Sequence, residues 1–289
     1  MRFEKWQALG NDYLIVEADE LPFALTPARV RRLCEGHFGI YADGILVLSP
    51  PADERFVAAL RIFNPDGSEA ELSGNGAREA IMYLRSHGWT DQDSFSIETP
   101  VGEIRPTITG PSTCRVDMGH AGLTSKDYPG GPANGAGELE VETSESVSAR
   151  TWRFQYVSIG NPQCSIALAG EPELAALDLS VLGPGIEAHP SFPNRTNVSW
   201  YAVLDPHRIR VRIFERGVGE TLSSGTGATG AAVAHVLRGG TSPVSVILDG
   251  GELEVEVGKD LHVNLTGWAV PVFEGRLSED FEKELHETE

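Results

Sequence analysis

The chain has 289 residues, with 23 lysines and arginines against 42 aspartates and glutamates and a formal net charge of −19. That balance argues against a nucleic-acid partner, because phosphate binding needs clustered Lys and Arg. Cys34, Cys114 and Cys164 are odd in number and at no metal-ligand spacing, which fits a reducing, cytoplasmic compartment; the N-x-S/T sequons at Asn194, Asn197 and Asn264 then carry no meaning. No run is long and apolar enough to span a bilayer, and the N-terminus lacks a signal peptide's apolar core.

In chain order, Gly10-Asn11 marks a turn, and Thr26-Pro27 predicts a helix start, an N-cap followed by proline at the first helical position, with the helix ending near Gly36. Leu60–Phe63 reads as the end of a strand. Ser73-Gly74-Asn75-Gly76-Ala77 follows, then Ala80–Leu84, apolar on all sides and so predicted to be a buried helix. Phe95–Glu98 reads as a strand, and Thr124–Gly137, rich in Gly, Pro, Ser and Asp, as a linker or surface loop between two halves. Gly160-Asn161 is a second turn, Val211–Phe214 a second strand end, and Ser224-Gly225-Thr226-Gly227-Ala228 opens the second buried helix, Ala231–Leu237. Val244–Leu248 and Glu252–Val257 alternate as strands, and the acidic stretch Ser278–Glu289 reads as a solvated end.

Two of these stretches are one device written twice. Arg61, Ile62, Phe63, Glu69, Ser73, Gly74, Gly76 and Ala77 recur, each 151 residues later, as Arg212, Ile213, Phe214, Glu220, Ser224, Gly225, Gly227 and Ala228. The repeat extends to Gly10-Asn11 against Gly160-Asn161 and to Gly102-Glu103 against Gly251-Glu252 with small gaps. A repeat at half the chain length predicts two copies of one fold, here α+β domains, each with a curled antiparallel sheet around a buried helix.

Each S-G-x-G segment falls at a helix N-terminus, where unbonded N–H groups and the positive end of the dipole suit an anion. The glycines let a ligand approach the backbone. Two such starts predict one site, assembled from both halves, for a carboxylate or phosphate. The same residues also suit plain capping, with each serine doing no more than closing its helix.

The motifs Leu9-Gly10-Asn11-Asp12, Ala42-Asp43-Gly44, Phe63–Ser68, Gly74–Arg78, Gly160-Asn161-Pro162, Pro193–Val198 and Glu215–Thr221 run in order from residue 3 to about residue 275, and the chain resembles the diaminopimelate epimerase family. The resemblance implies two pseudo-symmetric domains, here 1–120 plus 269–289 and 121–268, each a barrel-like antiparallel sheet around a central helix. It implies a homodimer, no cofactor, and inversion of an amino-acid α-carbon, LL- to meso-diaminopimelate, in lysine and peptidoglycan synthesis.

It also implies a two-cysteine mechanism, in which one thiolate removes the α-proton and an opposing thiol returns one. The positions that match those cysteines are Ser73 and Ser224. Gln163 stands where the family has histidine and Glu79 where it frequently has a further cysteine, while Glu215 matches. Asn64, Asn197 and Arg216 are implied in substrate contact, with Asn11, Asn75, Asn161, Gly74, Gly225 and Thr226 completing the binding set; an Asn in a Gly-Asn turn can also serve only the turn. A serine hydroxyl is a far weaker acid than a thiol. Three readings follow: an engineered inactive form, a diverged epimerase with an altered acid–base pair, or a relative that binds an amino acid or small carboxylate without turnover.

Overall fold

The computed structural model describes residues 1–70, 73–141 and 150–288. The chain forms two compact units, Met1–Val116 with Gly267–Glu289, and Asp117–Thr266.

The first unit opens with β1 (Arg2–Ala8) and β2 (Asn11–Glu17), joined at the Leu9-Gly10 turn, where both residues take positive φ. α1 (Pro27–Cys34) follows, capped by Thr26, whose side chain accepts from the Arg29 N–H. Then come β3 (Ile45–Ser49), β4 (Ala58–Phe63), β5 (Glu69–Ala70), α2 (Gly74–Ser86), β6 (Ile97–Thr99) and β7 (Gly102–Ile104), with the hairpin β8 (Pro106–Gly110) and β9 (Thr113–His120) after them. The second unit contains β10 (Ala136–Val141), β11 (Arg150–Ser158), β12 (Pro162–Leu168), α3 (Glu171–Ala175), α4 (Leu179–Glu187), β13 (Asn197–Asp205), β14 (Arg208–Glu215), β15 (Gly219–Thr221), α5 (Gly225–Leu237), β16 (Val244–Leu248), β17 (Gly251–Val257) and β18 (His262–Trp268). β19 (Val270–Arg276) and α6 (Glu279–Glu287) return to the first unit, where β19 pairs antiparallel with β1 from Arg2↔Arg276 to Gln7↔Val270.

The two sheets share a topology. In the first the order is β19-β1-β2-β3-β4-β6-β7 with β5 beside β4; the second contains the matching run β10-β11-β12-β13-β14-β16-β17 with β15 beside β14, and continues through β18, β9 and β8. Even the register repeats: Phe63 pairs Glu69 as Phe214 pairs Glu220, and Arg61–Glu69 and Arg212–Glu220 are equivalent ion pairs across equivalent hairpins. The α+β class holds, but the sheets are mixed rather than wholly antiparallel. β2 runs parallel to β3 and β4 to β6, as β12 does to β13 and β14 to β16, because an intervening helix carries the chain back across each step.

β2 and β3 are buried on both faces, which is why they read as continuous apolar runs. Leu14, Val16, Ile45 and Val47 pack outward against Val30 and Leu33 of α1 and Leu285 of α6; α2 lies against β1, β2 and β3. In the second unit Trp152, Phe154, Tyr156, Trp200 and Phe214 form the outer core with Leu179 and Ile186 of α4. The inner face wraps α5, which touches β11, β12, β13, β14, β16 and β17. Small residues permit that closeness: a Cβ on Gly230 would stand 2.8 Å from the Gln163 Cβ. Burial of each full-length apolar side chain in these layers contributes about 2 kcal/mol.

Two expectations are corrected. Thr124–Gly137 lies within the second unit rather than between halves, with Tyr128 packed on Phe154, Tyr156 and Phe192; the chain crosses between units inside β9. The acidic end is not a solvated tail up to Thr288: Ser278 caps α6, Leu285 is fully buried with Phe281 packed beside the same core, and Arg29 and Arg32 hold the helix. Glu289 lies outside the described residues.

Candidate active site

In the first unit Ser73 caps α2. Its Oγ accepts from the Gly76 N–H at 3.1 Å and from the Tyr13 hydroxyl at 3.1 Å. Tyr13 is nearly buried on β2. Gly74 and Asn75 open the helix, and the Asn75 side chain is turned to Arg78, whose buried guanidinium also donates to the Gly74 carbonyl. Asn64 donates to Ser68 Oγ at 2.9 Å within its own turn. Asn11 donates to Asp43 Oδ2 at 2.6 Å, and the Asp12 N–H bonds the same oxygen.

Glu79, one turn into α2, is wholly buried, and among the described residues neither carboxyl oxygen has a hydrogen-bond partner. Burial pushes its pKa well above the usual carboxylate range, against the pull of Arg78.

In the second unit Ser224 caps α5. Its Oγ accepts from the Gly227 N–H at 3.3 Å and donates to Glu215 Oε2 at 2.8 Å. Burial raises the Glu215 pKa, and the Ser224 hydrogen bond pulls it back. Gln163 is buried beneath α5; its Nε2 donates to Asn161 Oδ1 at 2.7 Å, and Asn161 in turn donates to Thr226 Oγ1 at 3.2 Å. Asn197 Oδ1 accepts the Arg216 N–H at 2.8 Å, and Arg216 Nη1 donates to the Asn194 carbonyl at 2.9 Å. Gly225 and Thr226 open α5.

In the second unit Glu215, Asn161 and Gln163 are hydrogen-bonded to the start of α5 directly or in sequence, whereas in the first unit Asn11 and Asn64 bond within their own loops rather than to the start of α2. The three thiols are elsewhere in the cores, where burial pushes Cys34 and Cys114 up to about 12 and raises Cys164 well above the ordinary thiol value. Among the described residues no cluster of His, Cys, Asp and Glu is arranged to hold a metal.

The diaminopimelate epimerase family model matches residues 3–124 and 155–272. A diaminopimelate epimerase 2 from a Nostoc species is 40% identical over 280 residues, covering 96% of both chains. A diaminopimelate epimerase from an Azoarcus species is 40% identical over 279 residues, covering 96% of this chain and 98% of its own. The chain belongs to the diaminopimelate epimerase family.

Solved structures agree on the fold. A phenazine biosynthesis protein from Bacillus anthracis has a TM-score of 0.69 at 17% identity, covering 96% of this chain and 99% of its own. A hydroxyproline epimerase from Agrobacterium vitis, with bound trans-4-hydroxy-L-proline, has a TM-score of 0.66 at 16% identity, covering 97% of this epimerase-family chain and 93% of its own.

The sequence reading missed two residues. Tyr13 was findable: with Gly10-Asn11 set against Gly160-Asn161, it falls at the position of Gln163. Glu187 was not. It is 3% exposed, and its Oε1 takes both the Gly217 N–H and an Arg195 guanidinium nitrogen, contacts that join segments far apart in sequence.

Proposed function

We propose that this chain inverts the α-carbon of diaminopimelate, LL to meso, without a cofactor, as a step of lysine and peptidoglycan synthesis. The observation that carries the reading is identity of 40% over 96% of both chains with a named diaminopimelate epimerase. The two capped helix starts support it. Each offers N–H groups and a positive dipole end to a carboxylate and to the charge that develops on it when the α-proton leaves.

Ser73 and Ser224 occupy the positions that the family resemblance assigns to the thiols, and we assign them the two proton transfers. Glu215 is the base behind Ser224; burial raises its pKa toward the range where a carboxylate is an effective base. Asn64, Asn197 and Arg216 we assign to the substrate's distal end and amino groups, with Asn11, Asn161 and Thr226 holding the loops around it. The cytoplasm and a homodimer are the expected setting; among the described residues no helix is long and apolar enough to cross a membrane.

A second reading, binding of an amino acid without turnover, is favoured by one observation. The Gln163 amide is committed to Asn161, and the side chain hydrogen-bonded to Ser73 is a phenol, not an imidazole or carboxylate. Incubation of LL-diaminopimelate in D2O separates the two. An epimerase introduces deuterium at the α-carbon and forms the meso isomer; a binding protein only raises its own melting temperature.

A further inference from the structure

The first turns of α2 and α5 make the same hydrogen bond with different side chains. In α5, Thr229 Oγ1 donates to the Gly225 carbonyl at 2.8 Å. In α2 the residue 151 positions earlier is Arg78, whose Nη1 donates to the Gly74 carbonyl at 3.0 Å. Gly74 and Gly225 are themselves equivalent in the repeat. A neutral hydroxyl is thus enough to bond that carbonyl, and the charge on Arg78 needs another reason.

That charge stands in an unfavourable place. Arg78 is fully buried, and among the described residues its Nε has no hydrogen-bond partner. Its Nη2 donates to Asn75 Oδ1, a neutral amide, and among the described residues no carboxylate pairs with it. A guanidinium does not give up its proton in a protein. The ionisable groups that act on it are Cys114 and Glu79, and burial holds both toward their neutral forms, the thiol pushed up to about 12 and the carboxyl well above its usual range. The fold therefore keeps a buried cation without a counter-ion, in the first turns of the helix that Ser73 caps, and such a charge costs free energy.

We propose that the counter-ion of Arg78 is the ligand: its charge adds to the positive end of α2 and strengthens the hold of the Gly74–Gly76 turn on a carboxylate. This rests on the reading above, in which a carboxylate binds at that helix start. Arg78 lies beneath the turn and works through it. Its bond to the Gly74 carbonyl polarises the peptide group whose N–H belongs to Asn75, and hydrogen bonds in such a chain reinforce one another. In a low-dielectric interior its charge also reaches the turn with little screening. Arg78 is thus a positioning residue for the anion. Thr229 supplies the equivalent bond at α5 without a charge, so the start of α2 is the stronger anion site of the two.

Calorimetry on the whole chain tests this, with LL-diaminopimelate as the ligand. Arg78→Gln keeps an amide donor near the Gly74 carbonyl and removes the charge. Its Kd should rise about tenfold or more. The melting temperature of the ligand-free variant should fall by no more than about 4 °C, because an unpaired buried cation has gone. Arg78→Lys keeps the charge and should bind within about threefold of the parent. Lost stability with an unchanged Kd would mean that Arg78 serves only the helix, and would overturn the proposal. So would a Lys variant that binds no better than the Gln variant. Failure of both Arg78→Gln and Arg78→Thr to fold would also contradict it, since Thr copies the arrangement at α5. A parent protein that binds no diaminopimelate would refute the epimerase reading instead. Inorganic sulfate then decides the role of the charge alone: it should raise the melting temperature of the parent more than that of Arg78→Gln, and equal shifts would end the idea.

Discussion

Glu187 Oε1 accepts the Gly217 backbone N–H at 2.7 Å. The same oxygen lies 2.7 Å from Arg195 Nη2, and the Glu187 carbonyl accepts the Thr196 N–H. One nearly buried carboxylate thus ties the segment before Asn197 to the segment after Arg216, and the Arg216 N–H closes the set on Asn197. Arg195 sits at φ 62, a left-handed conformation that a non-glycine residue holds only with outside support, while Gly217 takes its φ of 78 without strain.

Glu187→Gln keeps an acceptor for Gly217 but loses the charge facing Arg195. On the proposed roles of Asn197 and Arg216, steady-state kinetics should show KM for diaminopimelate raised about three- to tenfold, with kcat changed much less. Glu187→Ala leaves the Gly217 N–H unpaired and should lower stability by about 1–3 kcal/mol in denaturant unfolding. A Gln variant with wild-type KM would remove the latch from the binding account.

Glu79 gives a pH prediction. Its folded pKa is raised by burial above the unfolded value of about 4.3. Between those two values the folded state binds more protons than the unfolded one, so stability falls as pH rises. The contribution is fully present below the unfolded pKa and is lost as pH climbs through the folded pKa. A tenfold difference in proton affinity between the folded and unfolded states corresponds to about 1.4 kcal/mol. Glu79→Gln should therefore gain stability over the parent as pH rises from 5 to 8, read by unfolding at both values. Arg78, Asp12 and Asp43 are the charged groups around it. A constant difference across that range would show that Glu79 is ionised in the fold.

The helix starts and the repeat were legible because their signals are local or strictly periodic. Ser73 and Ser224 are caps whose partners lie three residues on, while the return of β19 came from the family resemblance, since its own burial does not alternate. Parallel pairing of β2 with β3 was not legible, since a doubly buried strand looks alike in either orientation. α6 was masked by its charge: six of its nine residues are Glu, Asp or Lys, and only Phe281 and Leu285, four apart, point to packing. Glu187 acts on residues distant in sequence, and only coordinates bring such pairs together; the repeat marks the position of Tyr13 but not its contact with Ser73.

The serines predict a gain of function. Ser73→Cys with Ser224→Cys should raise epimerisation, because a helix N-terminus lowers a thiol's pKa into a useful range but leaves an alcohol far above it. Each single cysteine should gain little, since inversion needs an acid and a base on opposite faces. Gln163→His should add to the double variant, provided the ring fits where Gly230 now packs against the Gln163 Cβ. Loss of the two serine caps should cost about 1 kcal/mol each. Unaltered turnover in the triple variant, with ligand binding intact, would mean that thiol chemistry is not what the site lacks.

Exchange of the α-proton by the unmodified protein is the most direct test. LL-diaminopimelate incubated with it in D2O should gain deuterium at the α-carbon and convert to the meso isomer, followed by proton NMR and chiral chromatography. The rate should rise with pH as Glu215 ionises, through a pKa above the usual carboxylate value, and Glu215→Gln should lower it by about a hundredfold or more. Binding of diaminopimelate with no exchange at any pH would contradict the epimerase reading and leave the chain a ligand-binding member of its family.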